Sequence, residues 1–337
     1  MQGDFNKALE NYFASLKIRK ELNDKKNIAG SYNNIGIVYK QKGDYSKALE
    51  YYFKSLKIRE ELSDKKGIAN TYSSIGNIYK QQGNFNAALK NNFISLKLSE
   101  EIADNNGIAI AYNNLGNIYL KLNNYSKALE FHLGSLKIRE NLPDKHGIAA
   151  SYNNIGNVYG SQGNYEKALK NHLSALKLYE QIKDKAGIAN AYNNIGYIYS
   201  KKNNPVESKK YELKSLQIAK EIGQRELIML AYSTLALCDS ALGDFKGAYQ
   251  NYKIYKQYSD SIFNAESSSK TAQMSEQYES DKKDNKIKLL NKNKETQAII
   301  AEAASKKQRF TIWLIAGGLL LVMLFSVFDV QLYVFVA

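Results

Sequence analysis

Proline is almost absent from this chain, with two residues in 337. A proline inside a helix removes a backbone hydrogen bond, so its scarcity leaves room for long helices nearly everywhere. A single cysteine, Cys238, excludes an internal disulfide framework. There is one Trp and there are three His. The sequence also lacks a phosphate-binding glycine loop, a paired-cysteine motif and a nucleophile elbow. Nothing in it marks an enzyme. Acidic residues are few beside basic ones, 33 against 47, and the formal charge of +14 raises nucleic acid or an anionic membrane surface as partners.

What is present is a repeat. Gly43-Asp44-Tyr45 returns as Gly83-Asn84-Phe85, Asn123-Asn124-Tyr125, Gly163-Asn164-Tyr165, Asn203-Asn204-Pro205 and Gly243-Asp244-Phe245, with Gly3-Asp4-Phe5 one step earlier. A second column runs Tyr32, Tyr72, Tyr112, Tyr152, Tyr192, Tyr232, and a third Gly36, Gly76, Gly116, Gly156, Gly196. The period is 40 residues without insertion, and such self-similarity marks a stacked array.

Each unit reads as two helices. Tyr72, Ile75, Gly76 and Tyr79 fall on one face of a first helix. Gly83 stops it in the left-handed conformation, and Asn84 caps the next helix. Phe85, Ala88, Leu89, Phe93 and Leu96 carry an apolar stripe along that second helix. Asp64, Asp144 and Asp184 are placed to cap the following first helices. Pro205 fits a first helical position, where its missing N–H costs little. The recurring Gly76 column, locally unfavourable by about 1 kcal/mol against Ala, predicts a close approach of the paired helix; Ala236 replaces it in the last unit.

The pattern aromatic-x-x-aliphatic-Gly-x-x-Tyr, then Gly-Asp/Asn-Tyr/Phe-x-x-Ala-Leu, resembles the tetratricopeptide repeat. The 40-residue unit is similar to the extended repeats of kinesin light chains and of mitotic-spindle adaptors, and Tyr stands where the family prefers Trp. The resemblance implies an all-α fold, tandem helix-turn-helix repeats in a right-handed α-α superhelix, with a concave groove lined by the first helices. The expected organisation is a repeat array over 1–263 (a half repeat at 1–22, then six units), a charged helical or coiled-coil linker over 264–309, a transmembrane helix over 310–328 and a short tail over 329–337.

Asn is a poor helix former, yet it fills three columns of the first helices. One holds Asn33, Asn113, Asn153 and Asn193, with Ser73 and Ser233. The next holds Asn34, Asn114, Asn154 and Asn194, with Ser74 and Thr234. The third holds Asn77, Asn117 and Asn157. The resemblance implies that these positions line the groove, where carboxamides, both donors and acceptors, would pair with the backbone of an extended peptide. The alternative is that they bond to neighbouring helices. The groove columns are neutral apart from nearby Lys40, Lys80 and Lys201, which favours a mildly acidic peptide.

Other features read as packing or solvation. His132 and His172 share a column with Tyr52 and Tyr252, one repeat apart and too distant to share a metal; no metal site or cofactor is expected. His146 falls in an inter-unit turn with no evident partner. Cys238 reads as a small buried apolar residue. The lysine columns Lys17, Lys57, Lys97, Lys137, Lys177 and Lys25, Lys65, Lys145, Lys185 read as solvated ridges, with charges spaced near the Debye length of about 8–10 Å. Without a recognised module or stacking aromatics on a basic face, nucleic acid is not an expected partner.

Past residue 263 the columns stop. Residues 264–309 are polar, with Ile287, Leu290, Ala301 and Ala304 at seam-like spacings that allow a homodimer through this helix. Phe310 to Phe328 carry no charge, enough to span a bilayer, with Trp313 near one end and Lys306, Lys307 and Arg309 before it. The order of array, charged helix and span resembles the sensing half of bacterial tetratricopeptide-containing sensor histidine kinases, and the stretch from Met274 through Glu279-Ser280-Asp281-Lys282-Lys283 to Ile287–Lys292 is similar to their juxtamembrane helix. No His follows Phe310, so the chain as given holds no phospho-acceptor. Both ends read as cut, the first unit opening on a second helix. Three functional expectations follow. One is a membrane-anchored protein- or peptide-binding module that forms the input part of a signalling receptor. Another is a cytoplasmic tail-anchored scaffold. The third is a fragment of a sensor kinase without its kinase domain. The expected place is a single-pass membrane protein of the bacterial inner membrane. The family resemblance puts the array in the periplasm, and the flanking charges put it in the cytoplasm.

Overall fold

A computed structural model describes residues 2–262, 290–298, 301–302, 305–306 and 308. Contacts divide the chain into two units, residues 1–273 and 274–337. In the first, the second helices of the units are α1 (Gln2–Glu21), α3 (Tyr45–Glu61), α5 (Phe85–Glu101), α7 (Tyr125–Glu140), α9 (Tyr165–Gln181) and α11 (Pro205–Ile222). The first helices are α2 (Lys25–Gln41), α4 (Lys65–Gln81), α6 (Asn105–Lys121), α8 (Lys145–Ser161), α10 (Lys185–Lys201) and α12 (Arg225–Ala241). Residues 245–262 form a further helix, α13. No strand occurs among the described residues.

The turns explain the spacing. Gly43, Gly83, Gly163 and Gly243 adopt positive φ, and Asn123 and Asn203 take the same conformation in the units that lack glycine. Each is followed by a cap: Asp44, Asn84, Asn124, Asn164 and Asn204 accept from the backbone N–H three residues on. Asp64, Asp144 and Asp184 do the same for Gly67, Gly147 and Gly187. Asp104 makes no cap bond; its carboxylate meets Lys66 at 3.2 Å instead. Pro143 cannot take positive φ, and α7 ends at Glu140 rather than a residue later as α3 does in its own frame.

Within a unit, the glycine column seats the side chain 16 positions on. A Cβ on Gly36 would lie 2.7 Å from the Tyr52 ring, and one on Gly116 2.7 Å from the His132 ring. Gly76, Gly156 and Gly196 meet Asn92, His172 and Glu212 in the same way. All five of these second-helix side chains are buried. The tyrosine columns sandwich another second-helix ring: Tyr51 stacks on Tyr39 at 5.5 Å, Phe131 on Tyr119 at 5.5 Å and Tyr211 on Tyr199 at 5.6 Å. In the same helix pairs, Ser55, Ser135 and Ser215 donate to the carbonyls of Ala29, Ala109 and Ala189 at 2.8 to 2.9 Å.

Two expectations need correction. The column of Lys25, Lys65 and Lys185 is no mere solvated ridge: these residues pair at 3.0 Å with Glu61, Glu101 and Glu221 of the next second helix. His146 lies in the first turn of α8 and does have partners. Its Nε2 is 3.3 Å from Asp184, and its ring sits edge-on to Tyr179 at 5.9 Å. A 40-residue stack brings the start of one first helix over the start of the next, which the linear sequence does not display.

In the second unit, residues 290–298 are helical and exposed. Most of the 264–309 linker, the expected span at 310–328 and the tail at 329–337 lie outside the described residues. Among the described residues no helix is long and apolar enough to cross a membrane.

Candidate functional site

Successive first helices touch one another, α4 with α6, α6 with α8, α8 with α10 and α10 with α12. They therefore line the inner side of the stack, with the second helices outside. Across that inner face lies an open cavity of about 490 Å³ that spans four first helices. It is lined by Lys80 of α4, Asn117, Leu120 and Lys121 of α6, Asn157, Gly160 and Ser161 of α8, and Asn194, Tyr197 and Ile198 of α10, with His172 of α9 at its floor. Among the described residues no carboxylate lines it.

The predicted asparagines divide by role. Asn154 donates to Asn113 Oδ1 at 2.6 Å, Asn194 to Asn153 Oδ1 at 2.9 Å and Asn114 to Ser73 Oγ at 2.9 Å. Each pair joins two first helices 41 residues apart. Asn193 donates to Glu212 at 3.0 Å, and Asn153 Oδ1 also faces His172 Nδ1 at 2.9 Å. Asn114 and Asn193 are buried. These pairs join neighbouring first helices across the inner face, the arrangement that the helix-to-helix alternative describes. Asn117 and Asn157 open into the cavity, and Asn77 is half-buried on the same column of α4. At the other end Asn34 lines a separate hollow with Phe5, Tyr12, Ile37 and Gln41, and Asn33 is half-buried beside it in sequence.

The cavity is electropositive. Burial, and then the neighbouring Lys121 and Lys40 ammonium groups, hold the Lys80 pKa below the ordinary lysine range. None of these three lysines closes an ion pair among the described residues. Lys201 sits over the Tyr197 ring at 5.2 Å. Sequence reasoning had Lys40, Lys80 and Lys201 but missed Lys121. Lys121 stands in the same column as Lys201, with Gln41, Gln81 and Ser161 elsewhere, so reading that column across the units would have found it.

Beneath this face the buried column is polar. Burial pulls the His132 and His172 pKa values down to about 4 and pushes that of Glu212 up to about 8. The imidazoles are thus neutral near pH 7. Among the described residues neither ring nitrogen of His132 has a hydrogen-bond partner. Cys238 is buried and donates to Ser208 Oγ at 3.1 Å, and burial raises its thiol pKa. Among the described residues no group of three or more His, Cys, Asp or Glu is placed to hold a metal ion.

The sequence profile described as "Tetratricopeptide repeat" matches residues 1–61, 27–92, 67–141, 107–181 and 147–221, more than half of the chain. No curated protein sequence matches it. Among solved structures it is similar to BtubC (BKLC) from P. vanneervenii, with 20% identity and a TM-score of 0.57 over 65% of this chain and 92% of that one. It is similar also to a Signal Transduction ATPase with Numerous Domains protein with a tetratricopeptide repeat sensor from Pyrococcus horikoshii, at 22% identity and TM-score 0.60, over 76% of this chain and 40% of that one. A Rap protein complexed with Competence and Sporulation Factor superposes at TM-score 0.57 and 13% identity, over 77% of this chain and 87% of that one. At these identities the structures share the fold.

Proposed function

This chain belongs to the tetratricopeptide repeat family, and from that premise we propose that its inner face binds an extended, acidic segment of a protein or peptide. The observation that carries the reading is the cavity across α4, α6, α8 and α10, whose lysines meet no carboxylate among the described residues. Lys80 and Lys121 supply positive charge that no carboxylate of the described lining offsets, while Asn117 and Asn157 keep donors and acceptors for a backbone. A solved structure of the same fold, a Rap protein complexed with Competence and Sporulation Factor, supports a ligand role for such an array. The asparagine pairs beneath hold the first helices in fixed register, so the lining groups are set before a ligand arrives. We read the chain as a binding module rather than an enzyme.

The finer reading is a membrane-tethered input half of a signalling receptor. The uncharged run of residues 310–328 after Lys306, Lys307 and Arg309, and the resemblance to sensor kinases, support it. The positive charges before the run favour instead a cytoplasmic tail-anchored scaffold. Labelling of the array with a membrane-impermeant reagent in intact cells separates the two.

The binding reading is tested by selecting random peptides on the full chain and measuring their affinity. Selected sequences should be acid-rich, and Lys80→Ala with Lys121→Ala should weaken them roughly tenfold, as expected when charge-assisted bonds are lost. Neutral or basic selected peptides, or affinity unchanged in the double variant, would sink the idea.

A further inference from the structure

The outer side of the array carries a second repeated feature. Phe13, Phe53, Phe93, Leu133, Leu173 and Leu213 occupy one position on six successive second helices. Each is a large apolar side chain, and each is between 38 and 49% exposed. Single exposed apolar residues are ordinary; six in register form a continuous row, which marks an interaction surface. The row is joined laterally by ring contacts, Phe13 with Tyr51 at 6.0 Å and Phe93 with Phe131 at 6.2 Å.

One helical turn further along, the row is flanked by Lys17, Lys57, Lys97, Lys137 and Lys177. These lysines are exposed, and none closes an ion pair among the described residues. The contrast with the neighbouring Lys25, Lys65 and Lys185 column is informative, because those charges are spent on Glu61, Glu101 and Glu221. The repeat thus keeps one lysine row paired and one free, and the free one borders the apolar row.

We propose that this face docks an acidic amphipathic helix of a partner protein, laid along the row, with its apolar stripe on the Phe/Leu side chains and its carboxylates on the free lysines. Charge complementarity selects that occupant. An anionic bilayer reads net charge over a whole face, and here exposed glutamates such as Glu60, Glu100, Glu140 and Glu180 follow the lysines on the same helices and offset them. A second copy of the chain is disfavoured on two grounds. The net charge of +14 makes copies repel. Two outward-curving faces also meet over only a few side chains, whereas a slender helix can follow the row.

The experiment uses the full chain and two synthetic amphipathic helical peptides with the same leucine stripe, one flanked by glutamates and one by lysines. Fluorescence anisotropy should show the glutamate peptide binding roughly tenfold more tightly than its lysine twin, in line with oppositely charged rim pairs along an apolar seam. Phe53→Ser with Phe93→Ser should abolish binding while the helical circular-dichroism signal is kept at the assay temperature, and Lys57→Glu with Lys97→Glu should invert the preference between the peptides. Lys80→Ala on the inner face should leave both affinities unchanged, which separates this surface from the groove. Equal binding of the two peptides, binding that survives loss of the phenylalanines, sedimentation with phosphatidylglycerol vesicles in place of peptide binding, or dimerisation abolished by the same serine changes would each overturn the proposal.

Discussion

At the scale of single residues, the glycine column and its partners set how tightly each unit closes. Gly116→Ala would drive a Cβ to 2.7 Å from the buried His132 ring. Overpacking of this kind costs about 1–3 kcal/mol, more than the roughly 1 kcal/mol that alanine gains in helix propensity. Gly30→Ala meets nothing within 4 Å and should stabilise α2 by up to about 1 kcal/mol; urea melts of the two variants should move in opposite directions. The buried ionisable groups predict a pH profile. His132 and His172 titrate near 6.5 when unfolded and near 4 when folded, so their stabilising contribution is lost as pH falls from 6.5 toward 4. Glu212 titrates near 4.5 unfolded and about 8 folded, so the folded state keeps a proton the unfolded chain releases, and stability is lost as pH rises from 4.5 to 8. Below 6.5 the two imidazoles outweigh the one carboxyl, and the melting temperature should peak near 6.5. Glu212→Gln should flatten the alkaline side and leave the acid side in place; thermal melts from pH 4 to 9 check this.

At the scale of elements, most of the plan could be read from the residues, because caps and left-handed turns are local chemistry. Gly83 with Asn84, and Asn203 with Asn204 and Pro205, announced a stop and a start that the helices obey. The pairing within a unit was also legible, since a glycine repeated inside helices needs a close neighbour. What could not be read was the partition of the asparagines. Asn154 and Asn157 lie three residues apart with the same side chain, but one turns to Asn113 of the adjacent helix and the other to the cavity. That choice depends on the angle between stacked helices, which is a tertiary quantity. It yields distinct outcomes. Asn154→Ala should cost about 1 kcal/mol of stability, the usual contribution of such a bond. Asn157→Ala should change stability by less than about 0.5 kcal/mol while weakening a groove-bound peptide. Paired urea melts and peptide titrations check both.

At the scale of the whole array, neighbouring units are coupled by contacts between their first helices: Asn154 to Asn113, Asn194 to Asn153, Lys66 to Asp104 and His146 to Asp184. Such an array behaves as nearest neighbours in one dimension, so a lesion in the middle should uncouple its two halves. His146→Ala with Asn194→Ala, which both act on the α8–α10 junction, should broaden the urea transition. The central claim is that the inner face, not merely the fold, is the ligand surface. Hydrogen–deuterium exchange of the full chain with and without a selected acidic peptide tests it most directly. Protection should appear on α4, α6, α8 and α10 around Lys80, Asn117, Lys121 and Asn157, and should vanish in the Lys80→Ala, Lys121→Ala variant. Protection confined to the second helices, or unchanged in that variant, would contradict it.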